Sequence, residues 1–205
     1  MKDLPKFYNC LNKIKKEIFF LLNQGVEKRK SNFHTLVLAT TNEQNRAEVR
    51  TVVLRSFSEK NMLIGIHSDI RANKIKELKK NNKVSLLFYD EEKKIQLRIR
   101  GEAKILDSHK NSWDKLNNWS RRCYLTEISP GKYSKNPTSG FPEKFSINQP
   151  KKIENEEGIK NFCLIQIYIK QIEWLYLASI GNRRAIFDFS KKNNATFQDK
   201  KWIVP

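Results

Sequence analysis

Short apolar segments rich in β-branched residues recur along the chain, and only a few polar residues separate most of them. We expect strands at 33–40, 48–57, 62–66, 84–89, 94–106, 162–177 and 184–189, and a short one at 202–204. Connections this short join antiparallel neighbours, because a parallel crossover needs about a dozen residues or more. The pattern predicts a mainly β (α+β) fold, an antiparallel barrel of about seven strands, closed or partly closed, with peripheral helices. Its first three strands are expected to form a meander.

Three stretches have the three- and four-residue apolar spacing of amphipathic helices, at 1–30, at about 70–80 and at 107–122. Residues 126–161, by contrast, are rich in Pro, Gly, Ser, Asn and Lys. A stretch of that composition inside a compact domain predicts a long functional or disordered loop. We interpret residues 1–205 as a single domain with an N-terminal helix within 1–30 and a long loop or lid at 126–161.

The net charge of +18 comes from 40 Lys and Arg against 22 Asp and Glu. A chain this basic raises the question of a nucleic-acid or membrane partner. The excess is spread over the whole length and consists mainly of lysine, whereas a nucleic-acid arm concentrates its charge in a block. We therefore expect neither partner, and we give more weight to the 11 arginines, whose planar guanidinium groups suit phosphate.

Several common site types have no signature in the sequence. The three cysteines are widely spaced without a CxxC, and the three histidines lack the spacing of metal ligands. The glycines form neither a dinucleotide-binding fingerprint nor a P-loop. We expect no metal, free thiols in a reducing compartment and, since no export signal is evident, a cytoplasmic protein.

Four groups of polar residues stand out. They lie at 50–55, 67–74, 96–101 and 173–184. In the second group Ser68, Arg71 and Lys74 surround a helix start, whose unpaired N–H groups and partial positive charge favour a phosphate. In the third group Gln96 and Arg98 share one face of a strand, because side chains alternate between faces.

Each group also has a purely structural interpretation. Residues 67–74 could be an ordinary surface helix capped by Ser68 or Asp69, and 96–101 could be the solvent-facing side of a strand. Trp174 could be a core or interface tryptophan. The order and spacing of the groups favour a common function.

Taken together, the groups resemble the pyridoxamine 5′-phosphate oxidase-like FMN-binding split β-barrels, most closely a compact branch found in cyanobacteria and plants. The similarity extends from about residue 33 to the C-terminus. It rests on RTVVLR (50–55), HSDIRANKIKEL (67–78), VSLLFY (84–89), QLRIRG (96–101), the W…W…R…YL…PG spacing (113–131) and the ending IEWL…NRR…W.VP (172–205).

The resemblance implies a six- to seven-stranded split β-barrel that binds FMN at a homodimer interface and acts on a small-molecule substrate. The implied cofactor-binding residues are Arg50, Thr51, Val52, Val53, His67, Ser68, Arg71, Lys74, Gln96, Arg98, Trp174 and Arg184. The RTVVLR strand would lie along the flavin, and the turn with the helix start would hold the phosphate. Arg55 is the implied substrate contact, and the flavin itself supplies the chemistry, because the sequence offers no evident nucleophile or general base.

The sequence departs from the family at the substrate site. Ile180 and Asn182 stand where the authentic oxidase has an Arg-x-His pair that binds the substrate. Such charge-assisted contacts are worth about 1.5–3 kcal/mol each. The sequence therefore favours an FMN-dependent oxidoreductase. It leaves open a true pyridoxamine/pyridoxine 5′-phosphate oxidase, a non-catalytic flavin- or tetrapyrrole-binding module and, on the charge alone, a nucleic-acid-binding protein.

Overall fold

The computed structural model describes residues 5–142, 145, 155–189, 191–192, 195–196 and 199–205, with the backbone alone at 191–192 and 195–196. The first four residues of the predicted N-terminal helix segment and most of 143–154 in the predicted loop lie outside the described residues. No helix of the described part is long and apolar enough to cross a membrane.

The described secondary structure is mainly β. The strands are β1 (Thr35–Thr41), β2 (Ala47–Val53), β3 (Ser56–Ser58), β4 (Leu63–Asp69), β5 (Lys83–Asp90), β6 (Ile95–Asp107), β7 (Phe162–Tyr176), β8 (Arg183–Asp188), β9 (Lys191–Lys192), β10 (Ala195–Thr196) and β11 (Asp199–Ile203). The helices are α1 (Leu11–Glu27), α2 (Asn73–Lys80), α3 (Lys110–Trp113) and α4 (Asn118–Arg122), with a 3-10 turn at Glu157–Asn161.

The main sheet is antiparallel and runs in the order β2-β1-β5-β6-β7-β8-β11. Strand β7 divides it. One edge of β7 pairs with β6 over its whole length, whereas its other edge pairs first with β4 and then with β8. Strand β3 continues the β4 branch. The sheet is therefore a split barrel that is not closed, which confirms the predicted fold class.

The core lies between the inner face of this sheet and helices α1 and α2. The strand β5 shows why, since its residues alternate strictly between exposed and buried from Lys83 to Asp90. In α1 the buried positions Ile14, Ile18, Leu21 and Leu22 recur at helical spacing. Each large apolar side chain buried in this way contributes about 1.5–3 kcal/mol of stability.

Two predicted elements are interrupted in the structure. The expected strand 48–57 is split into β2 and β3, because Leu54 N bonds to His34 O and Arg55 N bonds to Gly65 O. At residues 54 and 55 the backbone therefore changes its pairing partner from β1 to β4. Strand β3 rather than β2 pairs with β4, so the expected meander of three continuous strands is wrong at this point. The expected helix 107–122 is two short helices, α3 and α4, and its expected first residue, 107, still belongs to β6.

Candidate functional site

Seven polar side chains meet where β1, β2 and β4 approach the first two turns of α2. We call this group the α2 cluster: Thr40, Arg50, Ser68, Asp69, Arg71, Lys74 and Glu77. The β1–β2 register places Arg50 opposite Leu38 on the inner side of the sheet, and α2 packs across β1. Four of the predicted phosphate and flavin ligands are therefore brought together by the fold.

The start of α2 lacks a side-chain cap. Its N-cap residue is Ala72, and no acidic residue lies in its first turn. Neither Ser68 nor Asp69 caps the helix, since Asp69 Oδ1 instead accepts the backbone N–H of Arg71 at 2.8 Å. The leading amide groups of α2 and their partial positive charge are thus suited to an anion.

Arg50 is held firmly and keeps donors free. Its Nη1 donates to Thr40 Oγ1 and, at 3.1 Å, to Glu48 O, and its Nη2 donates to Glu77 Oε2 at 3.0 Å. A guanidinium group has five N–H groups. Two therefore have no acceptor among the described residues.

Lys74 lies beside Arg50 in the same cluster. Its Nζ donates to Ser68 Oγ at 3.2 Å. Burial lowers the pKa of Lys74, and the positive charge of Arg50 lowers it further. A phosphate placed between these two cations would relieve their repulsion and stabilise the charged lysine.

Arg71 is more fully occupied by the protein itself. It donates to Asp69 Oδ1 and Oδ2 at 3.0 and 2.7 Å, and to Thr126 O and Oγ1 at 3.0 and 2.8 Å. The hydrogen bonds that Arg71 donates to the Asp69 carboxylate raise the pKa of Arg71. Four of its five N–H groups are committed, so Arg71 chiefly ties the segment around Thr126 to the start of α2.

The side chain of His67 lies on the opposite face of β4 from Ser68. It packs edge-on against Phe162, with ring centroids 5.0 Å apart, and Phe162 in turn contacts Trp113 and Tyr124. Burial, together with the charge of Arg55, lowers the pKa of His67 to about 4, so the ring is neutral at pH 7. Through its side chain His67 supports this aromatic cluster rather than the α2 cluster.

Strand β2 presents its remaining predicted ligands on two faces. Val52 points inward with Arg50, whereas Thr51 and Val53 point outward. Within the described residues β2 pairs only with β1, so its other backbone edge is open. An elongated ligand lying along this edge would meet both faces.

A second polar group lies on the outer face of the sheet across β6, β7 and β8. This β6–β8 cluster consists of Gln96, Arg98, Glu173 and Arg184. Glu173 Oε1 accepts from Arg98 Nη1 at 3.1 Å and from Arg184 Nε and Nη2 at 3.0 and 2.8 Å. Gln96 and Arg98 line an open groove of about 320 Å³ together with the apolar side chains Val37 and Val49.

Trp174 is a core residue in this chain. It is fully buried and stacks on Tyr176, with Phe7 edge-on against it. Its Nε1 has no hydrogen-bond partner among the described residues. The interpretation of Trp174 as a core residue therefore fits a single chain. A flavin would contact Trp174 only if an assembly of chains placed the cofactor next to this side chain.

The turn after β7 carries the residues that depart from the substrate-binding pair. Asn182 Oδ1 accepts the backbone N–H of Ala178 at 3.0 Å, so this side chain is used within the turn. Ile180 is 63% exposed. Arg55, the implied substrate contact, is exposed beside β4.

The two clusters are separate in one chain. Arg50 on β2 and Arg184 on β8 are five ladder steps apart in the sheet order. At about 4.8 Å a step, this is roughly 24 Å along the sheet. No hydrogen bond or ion pair of the described residues joins the clusters, so they are two separate groups in one chain.

Comparison with known proteins shows what part of the chain is similar to an FMN-binding domain. The model of the FMN-binding domain of pyridoxamine 5′-phosphate oxidase matches residues 17–107, which include Arg50, the start of α2 and Arg98. The resemblance to the pyridoxamine 5′-phosphate oxidase-like FMN-binding family that the sequence motifs predict is confirmed over these residues. The pyridoxine/pyridoxamine 5′-phosphate oxidase 2 of Arabidopsis thaliana is 28% identical to it over 152 residues, covering 73% of this chain and 76% of that protein.

Two solved structures share the fold over nearly their whole length. An FMN-binding protein from Nostoc punctiforme superposes with a TM-score of 0.72 at 22% identity, covering 99% of both chains. PhzG from Burkholderia lata, crystallised with tetrahydrophenazine-1-carboxylic acid, gives 0.69 at 16% identity, covering 100% of this chain and 99% of that one. At these identities the likeness establishes the fold alone.

Sequence reasoning missed four members of the clusters as site residues: Thr40, Asp69, Glu77 and Glu173. Thr40 had a weak signal, because it is a polar residue at an inward position of β1, in phase with Leu36 and Leu38. Glu77 adjoins the buried Leu78 in α2. Their importance follows from the arginines they contact, which no local pattern reveals.

Proposed function

We propose that this chain binds FMN and acts as an FMN-dependent oxidoreductase on a small-molecule substrate. The observation that carries the proposal is the α2 cluster, which joins an uncapped helix start to free N–H groups on Arg50 and Lys74. These donors fit a phosphate dianion. The similarity of residues 17–107 to the FMN-binding domain of pyridoxamine 5′-phosphate oxidase supports the same assignment.

The roles of the residues follow from their positions. Arg50, Ser68 and Lys74 would hold the FMN phosphate, and the open edge of β2 would lie along the rest of the cofactor. FMN, when bound, supplies hydride or electron transfer. The neutral His67 keeps β4 packed against the aromatic cluster and so fixes the position of Ser68.

We further propose that the site is completed in a homodimer. The outer sheet face between the two clusters exposes apolar side chains, including Val49 at 66% and Leu87 at 37%. An exposed apolar patch rimmed by polar groups is typical of an interface between proteins. A second copy covering it would bring the β6–β8 cluster of one protomer toward the α2 cluster of its partner.

Oxidation of pyridoxine or pyridoxamine 5′-phosphate is a second candidate, favoured by the Arabidopsis relative. The turn at 178–182 opposes it, because Asn182 is used internally and Ile180 offers no charge. Pyridoxal phosphate formation by the FMN-loaded chain measures this activity directly. No turnover at saturating substrate would reject the second candidate and leave FMN binding intact.

The test of FMN binding is spectroscopic. The purified chain is expected to be yellow or to quench flavin fluorescence when FMN is added, and to elute as a dimer. Reduction of the bound flavin by a candidate donor, followed by reoxidation, would support the oxidoreductase role. A colourless chain that does not quench FMN fluorescence contradicts the proposal.

A further inference from the structure

We propose that Glu77 is a positioning residue for the cofactor phosphate, which it serves by holding Arg50 in place together with Thr40. The inference rests on the proposed function, because it assumes that the α2 cluster binds the phosphate of FMN. Glu77 is not among the ligands that sequence reasoning identified. It would act through Arg50 rather than by touching the ligand.

The contacts of Glu77 restrict Arg50 strongly. Glu77 is 7% exposed, and its Oε2 accepts both from Arg50 Nη2 at 3.0 Å and from the hydroxyl of Thr40. The same hydroxyl accepts from Arg50 Nη1, and Glu48 O accepts from Nη1 as well. The guanidinium is thus fixed on two nitrogens, and its uncommitted N–H groups are pre-organised for an anion.

The negative charge of Glu77 makes it possible to distinguish a positioning role from simple repulsion of the phosphate. A carboxylate near a phosphate site repels the ligand, so by charge alone its removal should strengthen phosphate binding. A positioning role predicts the reverse, since an unrestrained arginine must be ordered when the ligand binds. The sign of the change therefore separates the two explanations.

The first experiment measures dissociation constants of FMN and riboflavin for the apo-protein, with Glu77→Gln compared with the unmodified chain. We expect FMN affinity to fall about tenfold, the loss typical of one weakened charge-assisted hydrogen bond. Riboflavin, which lacks the phosphate, should be affected less than twofold, on the order of the scatter for a residue that does not touch it. Glu43→Gln removes a carboxylate from the exposed β1–β2 turn and is the matched control, with FMN affinity unchanged.

A double-mutant cycle shows whether Glu77 acts through Arg50. If it does, Glu77→Gln together with Arg50→Ala binds FMN no more weakly than Arg50→Ala alone. Thr40→Val is the second variant if Glu77→Gln does not fold, and it should weaken FMN binding about threefold by removing one hydrogen bond to Arg50.

The outcomes decide the inference. Unchanged or tighter FMN binding by the Glu77 variant overturns it, and so do equal losses for FMN and riboflavin or additive losses in the cycle. A selective, non-additive loss supports it. If the unmodified chain binds no FMN, the proposed function fails and this inference fails with it, a result distinct from an FMN-binding chain that is indifferent to Glu77.

Discussion

The α2 cluster and the β6–β8 cluster use the same pairing of arginine with a buried glutamate, but their surroundings differ. Arg50 and Glu77 lie between the sheet and a helix start, with a partly buried lysine beside them. The side chain of Arg98 in the β6–β8 cluster is 49% exposed on an open sheet face. One chain therefore gathers several anion-binding donors beside a helix start, whereas the β6–β8 cluster lies on an open sheet face.

The largest expected effect tests the α2 cluster. Lys74→Ala should reduce FMN affinity by about ten- to a hundredfold, because it removes a charge-assisted contact worth about 1.5–3 kcal/mol. Riboflavin binding should change little. Titration of the apo-protein measures both, and Lys76→Ala, an exposed lysine of the same helix, is the control. Equal FMN affinities of the two lysine variants would show that Lys74 does not contact the FMN phosphate.

The second effect tests whether His67, on the face of β4 opposite Ser68, is buried as a neutral ring. Burial holds the pKa of His67 at about 4, below its value of about 6.5 in the unfolded chain. Between these pH values the unfolded chain binds a proton that the folded chain does not, so stability falls as the pH falls, by about 1.4 kcal/mol per unit. Urea unfolding from pH 4.5 to 7 should show a shallower dependence in His67→Gln. An identical dependence would contradict the burial of a neutral His67.

The third effect tests the β6–β8 cluster. Arg184→Ala should weaken FMN binding by about fivefold, an effect of about 1 kcal/mol, because this arginine is partly solvated. Arg183→Ala is the matched control, since Arg183 packs on Tyr8 outside the cluster.

Mixed dimers of Arg50→Ala and Arg184→Ala chains should regain one intact site if the α2 cluster of one protomer and the β6–β8 cluster of its partner combine across the interface. Failure of mixing to restore binding would contradict a shared site.

The smallest effect distinguishes cations within the α2 cluster. Arg71→Ala should weaken FMN binding by less than about threefold, because four of the five N–H groups of Arg71 are committed to Asp69 and Thr126. The same variant should increase proteolysis near Thr126. An FMN loss as large as that of Lys74→Ala would show that Arg71 exchanges its internal partners for the ligand.

The sequence was sufficient for the fold class and for placing Ser68 and Lys74 beside a helix start, because strand alternation and helix starts are local patterns. It placed Arg50 along the flavin strand and did not group it with these two residues. It was insufficient where a distant partner decides. The break after β2 depends on hydrogen bonds to His34 and Gly65. Thr40 and Glu77 gain their role only from the packing of α2 on β1, which no spacing along the chain encodes.

The FMN phosphate is the feature on which the account depends. The most direct measurement compares FMN and riboflavin binding to the same apo-protein by calorimetry. We predict that FMN binds at least about a hundredfold more tightly, since two charge-assisted contacts together contribute about 3 kcal/mol or more. Equal affinity for the two flavins, or binding of neither, would contradict the assignment of the α2 cluster as the phosphate site.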